Sequence, residues 1–136
     1  MVFIIGEMKM GITEEGIKAE KLGRGFLLKY GIKNMQQIDW IFKYKDKYGI
    51  VEVKARELFK PPPFLGTGLD IRQLNLRKQL YNDLGIDTLL LIYEKNTNNI
   101  YHQWLSKLEK CNYIDTKNRI RIYDIKNFIK EGDDLY

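Results

Sequence analysis

The chain has 136 residues, 44% of them hydrophobic and 30% charged, which are values typical of a globular protein. Its length predicts a single domain over residues 1–136 with a real core. The net charge of +5 favours a polyanionic partner. No apolar run approaches about 18 residues, so the sequence predicts no membrane span. We therefore expect an intracellular, cytoplasmic protein, lying in the host cell interior if a virus encodes it.

Single copies of cysteine and histidine exclude several classes of site. Cys111 is the only cysteine, so no intramolecular disulfide and no cysteine-rich zinc site can form. His102 is the only histidine, and neither residue has the partners that a nucleophilic triad needs. No glycine-rich phosphate loop is present either. These exclusions direct attention to the carboxylates and lysines.

The first predicted element is a helix that begins near Thr13 and ends near Tyr30. Thr13 is a candidate N-cap, acidic residues follow it in the first turn, and Gly31 is a favourable residue just past the helix end. Helical periodicity places four apolar residues on one stripe, which we expect to face the core: Ala19, Leu22, Phe26 and Tyr30.

A β-hairpin is predicted next, with strands over residues 38–44 and 49–55 and a turn over residues 45–49. Burial requires the apolar faces of the two strands to coincide, with Trp40 and Phe42 beside Val51 and Val53. Because side chains alternate between the faces of a strand, Asp39, Glu52 and Lys54 then fall together on the other face.

Three prolines at positions 61–63 exclude helix and predict an extended loop, preceded by the basic residues Arg56 and Lys60. A second helix is predicted from Leu69 or Asp70 to Leu84–Gly85. Gln73 lies in the middle of its predicted apolar stripe, and an inward-facing glutamine needs hydrogen-bond partners. The stripe consists of Leu69, Leu76, Leu80 and Leu84.

The apolar run from Thr88 to Tyr93 predicts a strand covered on both sides. Residues 100–108 fit either a short strand followed by a helical turn or one helix. Residues 119–123 alternate as a strand and are expected to place three basic side chains on one face: Lys117, Arg119 and Arg121. This face is a candidate phosphate-binding surface. The equal alternative is that the strand lies at an exposed edge of a sheet, where its charges prevent pairing with another chain. A final short helix, capped by Asp124, is expected through Phe128 and Ile129.

The predicted patch of Asp39, Glu52 and Lys54 has the chemistry of a metal-assisted phosphodiester hydrolase. Paired carboxylates suit a hard divalent cation, which in proteins is often shared with a substrate phosphate. A neighbouring lysine can hold or activate a water, or stabilise developing negative charge. The alternative interpretation is a surface Glu–Lys pair on an exposed strand, with Asp39 as an unrelated charge.

Asp39, twelve intervening residues and then Glu52-Val53-Lys54 within an apolar strand resemble the PD-(D/E)xK nuclease superfamily. The pattern is most similar to the small archaeal Holliday-junction resolvases and to phage and archaeal-virus nucleases. Ile38 stands where the motif has its proline. The resemblance implies a restriction-endonuclease-like α/β fold, an αβββαβ core with a mixed central sheet flanked by helices. Its first strand would come from the opening MVFII or from a segment near Lys33.

The resemblance also implies roles for individual residues. Asp39 and Glu52 would bind Mg²⁺ or Mn²⁺, Lys54 would position or activate the attacking water, and Gln73 would steady Lys54 or that water. Glu20, four residues after Gly16, would order metal-bound waters, with Glu15 as the alternative. The candidate nucleic-acid-binding residues are Arg56, Lys60, Arg72, Lys117, Arg119 and Arg121.

The leading hypothesis is thus a metal-dependent DNA endonuclease with DNA as its partner. A chain this small has no separate recognition domain, so we expect it to read DNA shape, as in Holliday junctions or branched DNA, or to act as a homodimer. Two alternatives remain: a catalytically inactive nucleic-acid-binding module on the same fold, and a protein-interaction subunit without affinity for nucleic acid.

Overall fold

The structure, a computed structural model, describes residues 14–32, 36, 38 and 40–131. Within these residues the helices are α1 (Glu14–Lys29), α2 (Ile71–Leu84), α3 (Leu105–Leu108) and a 3₁₀ turn (Ile125–Asn127). The strands are β1 (Trp40–Tyr44), β2 (Lys47–Arg56), β3 (Gly66–Asp70), β4 (Asp87–Glu94), β5 (Asn99–Trp104), β6 (Tyr113–Asp115), β7 (Ile120–Asp124) and β8 (Ile129–Lys130). None of the described helices has the length and apolar character needed to cross a membrane.

Two sheets organise these elements into an α/β fold, as the sequence predicts. The larger sheet has five strands in the order β1-β2-β4-β5-β8 and is mixed, because β2 and β4 run parallel while the other pairs are antiparallel. The smaller sheet has three antiparallel strands in the order β3-β7-β6. The predicted first strand, in MVFII or near Lys33, lies outside the described residues.

The β1–β2 hairpin is confirmed, but its turn is shorter than predicted. Trp40 pairs with Val51 and Tyr44 with Lys47, so only Lys45 and Asp46 lie between the strands. Both have positive φ, 49° and 62°. A two-residue turn of this kind matches the right-handed twist of the strands, whereas a five-residue connection was expected.

The more buried face of the hairpin is the one that was expected to be polar. Ile50 is fully buried and Glu52 is 2% exposed, whereas Val53, on the opposite face, is 42% exposed. The cause is the packing of neighbouring elements, since Glu52 is paired with the fully buried Leu90 of β4. This face continues into the core, whose buried members are Leu69, Leu74, Leu90, Ile92, Leu105, Leu108, Tyr123 and Phe128.

Helix α2 has nearly the predicted bounds, and the structure shows a cap at each end. The Asp70 carboxylate accepts a hydrogen bond from the backbone N–H of Arg72 at 2.8 Å, and Gly85 ends the helix with φ of 70°. Its buried residues, however, are Leu74 and Arg77, while Leu84 is 68% exposed. The face of α2 that points to the core is therefore not the predicted leucine stripe but a neighbouring face of the same helix.

Helix α1 also has the predicted length, but its expected core face is wrong. The end at Gly31 is a Schellman motif, in which Ile32 N–H bonds the Leu27 carbonyl and Gly31 N–H bonds the Leu28 carbonyl. No residue of α1 is buried, and Phe26 is 60% exposed. The apolar stripe on α1 is not covered by the described part of the chain, so helical periodicity alone overestimated its burial.

Strand β3 was expected to be part of a loop. Gly68 explains the difference, because a Cβ atom at this position would lie 1.7 Å from the carbonyl oxygen of Arg121 on β7. The glycines of β3 thus allow β7 to approach closely, and this favours pairing despite their low intrinsic strand preference. Strand β7 was correctly predicted, but it is the central strand of the small sheet rather than an edge.

The region after β4 resolves the remaining alternatives. Residues 99–104 form a strand and Leu105–Leu108 a single helical turn, which is the first of the two alternatives. Strand β4 has a buried face and a half-buried face, so it is covered less completely on one side than expected. The final helix is only a 3₁₀ turn, capped by Asp124, and Ile129 already belongs to β8.

Candidate active site

Glu52 is the central residue of the candidate site. It lies in the middle of β2, where β4 covers it on one side and α2 passes over its face. Its carboxylate is 3% exposed, although isolated burial of a carboxylate is unfavourable by several kcal/mol or more. A buried carboxylate persists only where charged and hydrogen-bonding neighbours compensate, and Glu52 has three of them.

Two of these neighbours are residues that the sequence motif singled out. The Gln73 side-chain amide, from the first turn of α2, donates a hydrogen bond to Glu52 Oε1. The Lys54 ammonium lies 3.6 Å from the same oxygen. Lys54 is two residues further along β2 and hence on the same face, and its side chain is 30% exposed. Glu52 is thus buried beneath a lysine that borders the solvent.

The third neighbour, Arg77, was not predicted to lie in the site. Its Nη2 atom is 3.3 Å from Glu52 Oε2, and its side chain is 3% exposed. Its Nη1 atom donates to Gln36 Oε1 at 2.8 Å, and Gln36 in turn donates to the Leu76 carbonyl at 2.7 Å. Its burial and its ion pair with Glu52 make Arg77 a structural partner of the carboxylate.

A sequence signal for Arg77 existed. Residues 73 and 77 are one helical turn apart, so an inward-facing Gln73 predicts that position 77 also faces inward. A buried arginine at that position requires a carboxylate partner, and Glu52 was the available one. Gln36 has no comparable signal, since it lies outside any helix or strand.

Two other predicted site residues are not brought to Glu52 by the described structure. Asp39 lies outside the described residues. Glu20 is half-buried on α1, and the described contacts of Glu52 come from Lys54, Gln73 and Arg77 rather than from this helix. The proposed role of Glu20 at the metal remains a prediction.

The candidate nucleic-acid-binding residues fall into two groups. Arg72 and Lys60 are exposed, and Arg72 directly precedes Gln73 at the same end of α2. Arg56 is half-buried at the end of β2, where burial lowers the pKa of its guanidinium from the ordinary value. These three residues lie on the elements that hold the candidate site, β2 and α2, or on the loop between them.

The basic residues near β7 do not form the expected ladder. Lys117 and Arg119 lie before the strand, and Arg119 has φ of 61°. Arg121 is held by two carboxylates, with Nη1 2.8 Å from Glu109 Oε1 and Nε 2.8 Å from Asp115 Oδ1. Both acids pair with its charge, which makes Arg121 less available to a phosphate than the ladder implied, and its contact with a phosphate stays a prediction.

Glu109 joins this second group of charges to the core. Burial acts to raise the pKa of Glu109, but hydrogen bonds from Tyr123, Lys78 and Arg121 outweigh it and hold the pKa below its ordinary value. The Tyr123 hydroxyl donates at 2.7 Å, and burial together with Glu109 raises the pKa of that hydroxyl. Hydrogen bonding to Arg121 lowers the pKa of Asp115. The group is a structural network on the far side of α2.

The described residues offer one candidate carboxylate for a hard cation, and no cluster of ligands. Within residues 14–32, 36, 38 and 40–131, no group of three or more His, Cys, Asp or Glu side chains is placed to hold a metal. Mg²⁺ nevertheless often takes only one or two protein carboxylates, with waters and substrate phosphate completing its shell. Glu52 supplies one carboxylate, and a cation there would compete with Arg77 and Lys54 for its oxygens.

Comparisons of this chain with protein-family models, with curated proteins and with solved structures find no match.

Proposed function

We propose that this protein is a metal-dependent DNA endonuclease that hydrolyses phosphodiester bonds. The observation that supports the proposal is the buried Glu52 carboxylate, which has the Lys54 ammonium 3.6 Å away and accepts a hydrogen bond from Gln73. Burial of a carboxylate costs desolvation that its neighbours must offset, so a fully buried Glu52 beside a partly exposed lysine favours a functional role over an incidental surface pair. All three residues belong to the pattern that resembles the PD-(D/E)xK nucleases.

The β2–α2–β4 unit supports the finer fold. Along the chain the described elements run α1, β1, β2, β3, α2, β4, with the Glu-x-Lys pair on β2 and the glutamine on the next long helix. The run has the letters αβββαβ, but β3 lies in the small sheet and is not the strand that the resemblance implies, which was expected in MVFII or near Lys33. The proposed likeness to the restriction-endonuclease-like core therefore concerns the β2–α2–β4 unit.

Each residue has a role that follows from its chemistry. Glu52, together with Asp39, would hold Mg²⁺ or Mn²⁺. The bound cation would stabilise the negative charge that develops in the transition state of hydrolysis. As an ammonium, Lys54 has three donors and no acceptor, so it orients the attacking water and stabilises charge that develops on the phosphate. Gln73 holds the Glu52 carboxylate in place, and Glu20 would order waters near the cation.

DNA is the proposed substrate. The more specific proposal is that the protein cleaves branched DNA such as a Holliday junction. The net charge of +5 and the exposed Arg72 and Lys60 beside the site favour contact with phosphates. Two copies of a homodimer would cut two strands of a junction symmetrically.

A catalytically inactive nucleic-acid-binding module is the second candidate, and the Arg77–Glu52 ion pair favours it. A buried guanidinium 3.3 Å from Glu52 neutralises the charge that a divalent cation needs. If that pair is permanent, Glu52 stabilises the fold and binds no metal. The two candidates therefore differ in whether binding and cleavage depend on Mg²⁺ and on the Glu52 carboxylate.

The deciding experiment is cleavage of a four-way junction, a flap, a single strand and a linear duplex, each with Mg²⁺, Mn²⁺ or EDTA. Glu52→Gln and Asp39→Asn are compared with Glu57→Gln, which removes an exposed carboxylate just beyond the end of β2. We expect metal-dependent cleavage that both site variants abolish and Glu57→Gln retains. Absence of cleavage by folded protein would contradict the enzyme, and DNA binding indifferent to EDTA and Glu52→Gln would establish the inactive module.

A further inference from the structure

A cavity of about 410 Å³ opens at the end of the large sheet that carries the β1–β2 turn, away from Glu52. Five aromatic side chains line it, contributed by β1, β2, α2 and β5: Phe42, Tyr44, Tyr48, Tyr81 and Trp104. Pockets that hold small ligands have volumes from about 300 to 1,000 Å³, so this cavity is large enough for one base or nucleotide. We call it the hairpin cavity.

Two of the rings pack against each other, and the tyrosines that line the cavity are exposed. The Phe42 and Trp104 rings have centroids 5.9 Å apart and planes tilted by 30°. Gly49 makes this packing possible, because a Cβ atom there would lie 2.8 Å from the Phe42 ring. Tyr44 and Tyr48 are 59% and 57% exposed, and the register of the hairpin places them on opposite faces at its end. Exposed rings at this end of the sheet provide faces on which a planar ligand can stack.

The charge around the hairpin cavity is positive. Lys45, Lys47 and Lys107 line it, and the Lys45 ammonium lies 5.2 Å from the centroid of the Tyr44 ring. Asp87 is the acidic residue among the described residues that line the cavity. Its carboxylate already accepts a hydrogen bond from the Ser106 hydroxyl. A ligand that is planar in one part and anionic in another fits this distribution.

We propose that the hairpin cavity binds a single-stranded DNA segment, with bases stacked on Tyr44, Tyr48 or Tyr81 and phosphates held by its lysines. Proteins that bind single strands combine aromatic platforms with a positively charged groove in this way. That the bound strand is DNA rests on the proposed function. The hairpin cavity adds to that function a second place at which the protein would hold its substrate. Gly49 and Glu52 are three residues apart on β2 and therefore face opposite sides of the sheet, so the hairpin cavity is a site separate from Glu52.

The test measures binding without cleavage. Full-length protein in EDTA is titrated into a fluorescently labelled oligothymidylate of twelve nucleotides. Fluorescence anisotropy gives the Kd of the complex at several salt concentrations. We expect the double variant Tyr44→Ala/Tyr48→Ala to bind about tenfold more weakly or worse. The variant Tyr44→Phe/Tyr48→Phe keeps the rings and should bind normally. Lys45→Gln/Lys47→Gln should weaken binding and flatten its salt dependence, by about 0.7 in slope per lost phosphate contact.

Controls separate this site from general surface charge. Tyr113→Ala removes a tyrosine of the small sheet that is 40% exposed and should leave Kd unchanged. Circular dichroism checks that each variant is folded. Unchanged affinity of the double alanine variant would overturn the proposal, and so would a loss of affinity confined to the lysine variant. Equal affinity for thymidine monophosphate would overturn a strand-binding site in favour of a small-molecule site.

The outcomes also distinguish this proposal from the nuclease itself. Oligouridylate is titrated in parallel, and tighter binding of it would overturn the assignment to DNA. Single-strand binding that Glu52→Gln leaves intact, with no cleavage of any substrate, would support the hairpin cavity and contradict the nuclease. If cleavage is metal-dependent but the Tyr44→Ala/Tyr48→Ala variant binds single strands normally, the nuclease is supported and the proposed role of the hairpin cavity is overturned.

Discussion

The Arg77 guanidinium lies 3.3 Å from the Glu52 carboxylate, and each side chain is only 3% exposed. A buried ion pair contributes little net stability compared with a well-packed apolar pair, because both charges have lost their hydration. Loss of one partner is a different matter, since the remaining charge is buried without compensation. The pair therefore predicts strong energetic coupling between α2 and β2.

We expect Arg77→Met to lower the free energy of unfolding by about 3–5 kcal/mol, because Glu52 is then left as a buried charge. Adding Glu52→Gln to Arg77→Met should recover part of this loss, giving a favourable coupling energy in a double-mutant cycle measured by urea unfolding. Arg72→Met, at an exposed position of the same helix, is the control and should cost less than about 0.5 kcal/mol. Additive effects of the two site substitutions would contradict the coupling.

Lys54→Met should reduce cleavage by about 100-fold or more, because it removes the donor that orients water and stabilises negative charge. Stability should change little, since the side chain is 30% exposed and its ion pair is partly solvated. Single-turnover cleavage of the preferred substrate and thermal unfolding measure the two effects. Lys95→Met, at an exposed position in the turn after β4, should retain most of the activity; equal losses in both variants would indicate general charge rather than a site.

The Glu109 network predicts a defined dependence of stability on pH. Because the folded-state pKa of Glu109 is below its ordinary value of 4.5, its stabilising effect is full above that pH and is lost as pH falls through the folded-state pKa. At pH 7, Glu109→Gln should cost about 2 kcal/mol, as hydrogen bonds to a charged group are weakened. The difference between the two proteins should shrink below about pH 4, and a constant difference would contradict this assignment.

The β1–β2 turn offers a stabilising substitution. Asp46 has φ of 62°, a conformation that costs a residue with a side chain about 1 kcal/mol and costs glycine nothing. Asp46→Gly should therefore raise the unfolding midpoint relative to Asp46→Ala, which has the same strain without the local hydrogen-bonding ability of aspartate. If the alanine variant were the more stable, the turn would not have the left-handed conformation.

Helix α1 should be energetically separate from the core. Phe26 is 60% exposed, so Phe26→Ser is expected to change the free energy of unfolding by less than about 0.5 kcal/mol. Leu74→Ala, at a fully buried position of α2, should cost about 2–5 kcal/mol. Chemical denaturation of both variants checks this; a large effect of Phe26→Ser would show that α1 is packed against other residues in solution.

Local signals in the sequence predicted most of the elements. The bounds of α2, the end of α1 at Gly31 and the hairpin register are all set by residues close in sequence, and the structure has them nearly as expected. Strand β3 was missed because its pairing depends on a close approach between Gly68 and β7, which lies about fifty residues later. Such a contact has no local signature.

The candidate site could be predicted only in part for the same reason. The motif pointed to Glu52, Lys54 and Gln73, and the structure places these side chains together. Arg77 was not predicted there, because arginine is mostly exposed and its burial here depends on the tertiary contact of α2 with β2. The apolar stripe of α1 was the opposite case, since amphipathic periodicity does not show whether a partner covers it.

Arg77 also bonds Gln36, so one guanidinium joins chain segments separated by 41 and 25 residues. Gln36→Leu removes one acceptor of this buried guanidinium, so residue 36 should influence the Glu52 ion pair from a distance, through Arg77.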